Sequence, residues 1–137
     1  MLDYIVEQTD RFVSSKPKDL RKSFGQFFTS KTTARYMAGM LTVPRKETIS
    51  VIDPGAGSGI LSAAVIEMIE KNHPDTNEVH LTCYETNSDI MPLLEANIEY
   101  MTRTAKVKLR ITIINENYIL EQSDDFSGTL MASQEHQ

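Results

Sequence analysis

An internal disulfide is excluded in this 137-residue chain, which holds one cysteine, Cys83. That cysteine stands in an apolar run, so a buried, inert thiol is expected rather than a reactive one. No apolar stretch approaches the roughly 18 to 20 residues of a membrane-spanning helix. The first residues carry Asp3 and Glu7, where a secretory signal would be basic and then apolar. A cytoplasmic location, without membrane attachment, is the default expectation. Neither an internal repeat nor a low-complexity linker divides the chain, which is long enough for one modest domain with its own core. Overall positive charge is also missing. The net charge is −5, which argues against a generic nucleic-acid binder. The distribution is uneven, however. Residues 1–50 hold nine Lys/Arg and five Asp/Glu (+4), and residues 51–137 hold five and fourteen (−9). The basic first third is either an ordinary solvated face or a surface suited to a phosphate backbone.

What is present is an ordinary balance of 40% apolar and 24% charged residues, arranged with clear periodicity. Residues 3–13 predict a helix with Ile5, Phe12 and Val13 on its apolar side. Lys16-Pro17-Lys18-Asp19 interrupts it, and a second short helix follows to Ser23. Gly25-Gln26-Phe27-Phe28-Thr29-Ser30 reads as a loop. Thr29 or Ser30 then caps a helix from Lys31 to Leu41, with Tyr36, Met37, Met40 and Leu41 as its apolar face and Pro44 ending it. From there strands and helices alternate. Strand Ile49–Asp53 leads to a helix ending near Asn72, with Ile60/Leu61, Ala64/Val65 and Met68/Ile69 at helical spacing. Strand Val79–Glu85 leads to a helix from Ser88 or Asp89 to Thr104, with Pro92 in its first turn and Leu94, Ile98 and Met101 facing the core. A third strand spans Val107–Ile114. Such βα steps imply an α/β fold with a parallel sheet of about three strands, right-handed crossovers and an N-terminal helical segment. The expected divisions are a helical segment at 1–45, an α/β core at 46–120 and a polar tail at 121–137.

The chemistry concentrates in Asp53-Pro54-Gly55-Ala56-Gly57-Ser58-Gly59, between the first strand and its helix. The glycines remove Cβ atoms, so the backbone can bend sharply and a ligand can lie against it. A dinucleotide fingerprint needs a further glycine where Ile60 stands, and a triphosphate loop needs a Gly-Lys-Ser/Thr triplet that the chain lacks. A carboxylate at the strand end would repel phosphate and suits a cationic group, such as the amino group of S-adenosylmethionine. Glu85, 26 residues beyond Gly59, closes the second strand. It serves either as a two-oxygen acceptor for the vicinal hydroxyls of a ribose or as a charge at a helix start. After the third strand, Asn117 in Asn115-Glu116-Asn117-Tyr118 could accept from an adenine amino group, with Tyr118 offering an aromatic face; plain turn chemistry is the alternative. In Gly25-Gln26-Phe27-Phe28-Thr29, either one aromatic suits the core and the other a lid over a ligand, with the helix start that follows favouring a carboxylate, or the segment is plain packing.

Taken together, Lys22-Ser23-Phe24-Gly25-Gln26-Phe27-Phe28-Thr29 before a helix, followed by the Asp53–Gly59 turn, resembles the adenine-specific DNA methyltransferases of restriction–modification systems. The resemblance covers about residues 20–120. It implies a partial Rossmann-like methyltransferase fold and S-adenosylmethionine as cofactor, with no metal. By the same resemblance, Phe28 and Thr29 contact the methionine portion, and Asp53, Gly55, Ala56 and Gly57 hold the amino group and neighbouring atoms. Glu85 takes the ribose and Asn117 the adenine edge. The family usually has aspartate where Asn117 stands; asparagine keeps an acceptor and loses the charge.

That family transfers methyl to adenine N6 through an Asn-Pro-Pro-Tyr loop after a fourth strand, on a base flipped from DNA. None of the prolines here (Pro17, Pro44, Pro54, Pro74, Pro92) neighbours another or follows Asn. The expectation is therefore the cofactor-binding portion of such an enzyme, inactive by itself. DNA would be bound by the complete enzyme, and the catalytic loop supplied by a second chain or a missing segment. An open edge on the first strand should also favour self-association. The alternatives are a non-catalytic S-adenosylmethionine-binding or interaction module, and a methyltransferase acting on small molecules or proteins, against which the Gly-Gln-Phe-Phe-Thr segment argues.

Overall fold

The computed structural model describes residues 1–117, and its elements follow one another as α1 (Leu2–Ser14), α2 (Lys18–Phe27), α3 (Lys31–Met40), β1 (Thr48–Asp53), α4 (Ile60–Asn72), β2 (Glu78–Tyr84), α5 (Met91–Thr104) and β3 (Lys108–Ile114). Tyr118 and the tail at 121–137 lie outside the described residues.

Each strand alternates apolar and polar residues, and each helix between strands carries an apolar stripe. The strands pair in the order β1-β2-β3, both pairs parallel, with Asp53 level with Cys83 and Tyr84 level with Ile114. Two crossovers running in one direction place α4 and α5 on the same side of the sheet. Ile49, Val79, Leu81, Cys83 and Leu109 point into that side and are buried with Ile66, Ile69, Leu94 and Met101. On the opposite face Thr48, Ser50, Glu78, His80, Thr82, Lys108, Arg110 and Thr112 are half-buried or exposed, whereas Tyr84 at its carboxyl end is buried. Parallel sheets are usually apolar on both faces. Here Glu78 sits beside His80, Lys108 and Arg110, and the His80 contact holds its carboxyl below the usual range.

The N-terminal helices pack on the covered side, outside α4. α1 buries Leu2, Ile5 and Thr9, one face at helical spacing. Its start is fixed by Glu67 of α4, which accepts from the Leu2 amide at 2.9 Å and pairs with the terminal ammonium at 3.3 Å. An Asp3–Lys31 ion pair ties α1 to α3. Of the apolar side expected for α1, Ile5 is buried and Phe12 and Val13 half-buried.

Three local expectations are corrected. The segment beginning at Gly25 is not all loop: α2 continues through Gly25 and Gln26 to Phe27, leaving only Phe28, Thr29 and Ser30 outside a helix. Edge-on contacts of Phe12 with Phe24 and Phe28, and Lys16 lying 4.4 Å over the Phe12 ring, hold it there. α3 ends at Met40, well before Pro44, and its buried face is Ala34 and Ala38 rather than the large residues. Small side chains let α3 approach α4 closely, so Tyr36 (68% exposed), Met40 (60%), Leu41 and Met37 stay outside. α5 starts at Met91, after a turn in which Asn87 Oδ1 accepts from the Asp89 amide, and Pro92 falls in its first turn as expected. Ser30, not Thr29, caps α3, accepting from the Thr33 amide at 3.2 Å.

Among the described residues β1 has one strand neighbour, β2, so its other edge is open. Beside that edge lies an apolar groove of about 130 Å³ formed by Met37, Leu41, Ile52, Leu61 and Val65, with Asp53 and Ser62 at its polar end.

Candidate functional site

The Asp53–Gly59 turn leaves the carboxyl end of β1, where open parallel sheets place their ligands. Two of its glycines adopt left-handed backbone conformations, Gly57 at φ +57° and Gly59 at φ +96°, which L side chains rarely reach. Hydrogen bonds hold the turn at every residue from Ala56 to Gly59. The Ala56 amide donates to the Tyr84 carbonyl at 2.9 Å, joining the turn to the end of β2. The Gly57 amide donates to Glu85 Oε1 at 2.8 Å. Ser58 accepts at its carbonyl from Asn97 Nδ2 at 2.8 Å, and its hydroxyl meets Thr9 Oγ1 at 2.8 Å. The Gly59 amide closes back on the Ala56 carbonyl at 2.9 Å, and the Gly59 carbonyl accepts from Ala63 in the first turn of α4.

Above the turn lies a cleft of about 230 Å³ lined by Phe27, Phe28, Thr29, Gly55, Ala56, Gly57, Ser58, Ile60 and Leu61. Five of the residues assigned from the sequence therefore meet in one place: Phe28, Thr29, Gly55, Ala56 and Gly57. Phe28 packs against the core and Phe27 remains 52% exposed, with their rings edge to face at 5.3 Å. A methyl at Gly57 would stand 3.7 Å from both Phe rings, an ordinary contact, in the space between the turn and Phe27 and Phe28.

The two carboxylates support the cleft from beneath. Asp53 is buried; its Oδ2 accepts from Ser62 at 2.6 Å and its Oδ1 from the Gly55 amide at a long 3.4 Å. Burial raises its pKa above the usual range against the opposing Ser62 and Gly55 hydrogen bonds, and Glu85 nearby pushes the same way. Asp53 borders the groove beside β1 rather than the cleft lining itself. Glu85 lies one residue past the end of β2, buried, with Oε1 on Gly57 and Oε2 accepting from the Thr86 and Asn87 amides at 3.1 and 2.9 Å. Its carboxylate thus spans the gap between the glycine turn and the loop leading to α5. Asn117 is exposed, three residues beyond β3, and does not line this cleft. Cys83 is buried 3.9 Å from Ser62 Oγ, and desolvation pushes its thiol up to about 12, so it stays protonated. Among the described residues no group of three His, Cys, Asp or Glu is placed to hold a metal ion, and no helix is long and apolar enough to cross a membrane.

Sequence reasoning missed Thr9, Ser58 and Asn97, although a signal existed. Thr9 follows Leu2 and Ile5 on one helical stripe, and Asn97 stands between Leu94, Ile98 and Met101. A polar residue on a buried stripe needs a partner, and here both find Ser58.

The chain is 29% identical over 99 residues to two Haemophilus influenzae proteins, Type II methyltransferase M.HincII and Type II methyltransferase M.HindII. The match takes in 71% of this chain but only 18% and 17% of theirs, so the chain spans under a fifth of the length of these relatives. A solved Listeria monocytogenes structure, described as a class I S-adenosylmethionine-dependent methyltransferase, superposes with a TM-score of 0.41 at 15% identity, covering 85% of this chain and 46% of that one. The N-6 DNA Methylase family matches residues 9–127, and the chain belongs to that family.

Proposed function

We propose that this chain is the S-adenosylmethionine-binding portion of a DNA adenine N6-methyltransferase. The observation that carries this reading is the glycine-rich turn Gly55-Ala56-Gly57, which shares a cleft with Phe27, Phe28 and Thr29 and is backed by two buried carboxylates, Asp53 and Glu85. A cationic amino acid headgroup suits Asp53, whose long hydrogen bond to Gly55 is weak enough to yield to an ammonium. Glu85 already orders two backbone segments, and a ribose diol would have to compete with the Gly57, Thr86 and Asn87 amides for its oxygens. The cleft is smaller than the roughly 300 Å³ at which small-molecule sites begin, so a nucleoside enters by moving the exposed Phe27 ring. S-adenosylmethionine would supply an activated methyl group. The chain's own part is to bind and orient that donor and keep water from it.

Methyl acceptance by adenine needs a positioned amide and stacked aromatic, which the family resemblance assigns to an Asn-Pro-Pro-Tyr loop. The chain has no such loop. In a test with tritiated S-adenosylmethionine and duplex DNA, the chain alone is expected to bind cofactor without labelling DNA. Label should appear on adenine N6 only when a second polypeptide carrying that loop is added. Transfer by the chain alone would overturn the division of labour; binding without transfer in every combination would favour the reading as a non-catalytic module.

The open edge of β1 and the exposed Tyr36, Met40 and Leu41 favour association of the isolated chain with itself or with such a second polypeptide. Sedimentation velocity is expected to show a coefficient that rises with concentration, and the double substitution Tyr36→Lys with Met40→Lys should return it to the monomer value. A monomer at all concentrations would count against this surface being adhesive.

A further inference from the structure

We infer that Thr9 and Asn97 are positioning residues for the glycine turn, so that α1 is a working part of the cofactor site rather than a separate N-terminal appendage. The inference rests on the S-adenosylmethionine reading for its consequence, not for its geometry. Ser58 stands between two glycines that both hold positive φ. Such hinges give the backbone freedom on either side, so the conformation of the residue between them has to be imposed from outside. Asn97 fixes its carbonyl from α5 and Thr9 fixes its hydroxyl from α1, each at 2.8 Å. Ser58, Thr9 and Asn97 are all buried, at 1%, 3% and 1% exposure, so water cannot take over these bonds.

Thr9 is doubly placed. Its Oγ1 lies 2.7 Å from the Ile5 carbonyl of its own helix as well as 2.8 Å from Ser58. A hydroxyl carries one proton, so Thr9 donates to one of these oxygens, and Ser58 donates to Thr9 when that proton goes to Ile5; the Thr9–Ile5 contact lies within α1, and the Ser58 hydroxyl is the member that depends on α1 being docked. The helix therefore reports on the turn and the turn on the helix. Ser58 also lines the cleft, and any rotation about the glycine hinges moves Gly57, whose amide holds Glu85.

The test compares Thr9→Val, which keeps the side-chain shape and removes the hydroxyl, with Thr9→Ser and with Thr76→Val. Thr76 is also buried and donates to the Lys46 carbonyl at 2.8 Å, but it sits at the opposite end of the strands. Amide hydrogen exchange is measured first. Thr9→Val should speed exchange of the Gly57 and Gly59 amides at least tenfold while leaving those of β2 unchanged; Thr9→Ser should restore protection, and Thr76→Val should leave the turn protected. Calorimetry with S-adenosylmethionine is measured second. Thr9→Val should weaken binding about tenfold, with affinity recovered in Thr9→Ser and retained in Thr76→Val even where its melting temperature falls as far. Unchanged turn exchange in Thr9→Val, or an equal binding loss in Thr76→Val, overturns the positioning role. Absent binding in the unsubstituted chain overturns the cofactor reading instead, while the exchange data still decide whether Thr9 orders the turn.

Discussion

Replacing Asp53 with alanine is expected to abolish measurable S-adenosylmethionine binding in calorimetric titration, a loss of roughly a hundredfold or about 3 kcal/mol, the scale of a hydrogen bond to a charged group in a desolvated site. Part of what Asp53→Ala does is structural, since the Ser62 hydroxyl loses its acceptor in a buried position, at about 1–3 kcal/mol. Asp53→Asn separates the two effects. It keeps an oxygen for Ser62 and removes only the charge. Burial raises the Asp53 pKa in the folded chain, so the folded state holds that proton more tightly than the unfolded state does. The group therefore contributes most at acid pH, below the ordinary aspartate range. That contribution is lost as pH rises through the raised folded pKa, leaving a buried charge that opposes folding at neutral pH. Denaturant unfolding at neutral pH should find Asp53→Asn at least as stable as the parent, with the difference shrinking toward zero in acid. The same variant should bind the cofactor as poorly as Asp53→Ala. A variant that gains stability and loses its ligand marks a charge kept for binding. Normal heats from Asp53→Asn would remove the ammonium from this account.

The legible parts of the fold share a cause. β1, α4, β2, α5 and β3 could be read from the sequence because period-two alternation, period-3.6 stripes and turn residues all agree locally. Ile60–Asn72 is a helix from its apolar spacing alone, and Gly59 marks where it starts. What escaped depends on partners distant in sequence. α2 has no buried residue and contains a glycine. Its last turn exists because Phe12, in another helix, meets Phe24 and Phe28. α3 misled for the opposite reason. Its largest apolar residues form a plausible face, yet close packing against α4 selects Ala34 and Ala38. Of the site, the glycine turn, Phe28 and Thr29 were readable as a group, and Glu85 was placed at the right strand end. Its engagement of the Gly57 amide was not readable, because that bond crosses 28 residues and depends on sheet register.

The sharpest separation of site from scaffold comes from the two left-handed glycines. Gly57→Ala places a methyl at φ +57°, within the left-handed region, at a strain of about 1–2 kcal/mol. The methyl finds only ordinary contacts, 3.7 Å from Phe27 and Phe28, so the fold should survive with a melting temperature lowered by several degrees. It occupies the floor of the cleft, however, and S-adenosylmethionine binding should fall below detection. Gly59→Ala acts in reverse. Its φ of +96° is further from any conformation alanine favours, and the new carbon points away from the cleft, 3.4 Å from the Met101 methyl and 3.6 Å from Leu94. Strain at such positions reaches about 3 kcal/mol, so the melting temperature should drop further than in Gly57→Ala. The molecules that remain folded at low temperature should keep most of their affinity. Paired thermal unfolding and calorimetry on these two variants test the assignment directly. Undiminished binding in Gly57→Ala would move the ligand away from the turn. Lost binding in a cold, folded Gly59→Ala would mean that the backbone conformation at Gly59, and not only the open floor at Gly57, is needed by the ligand.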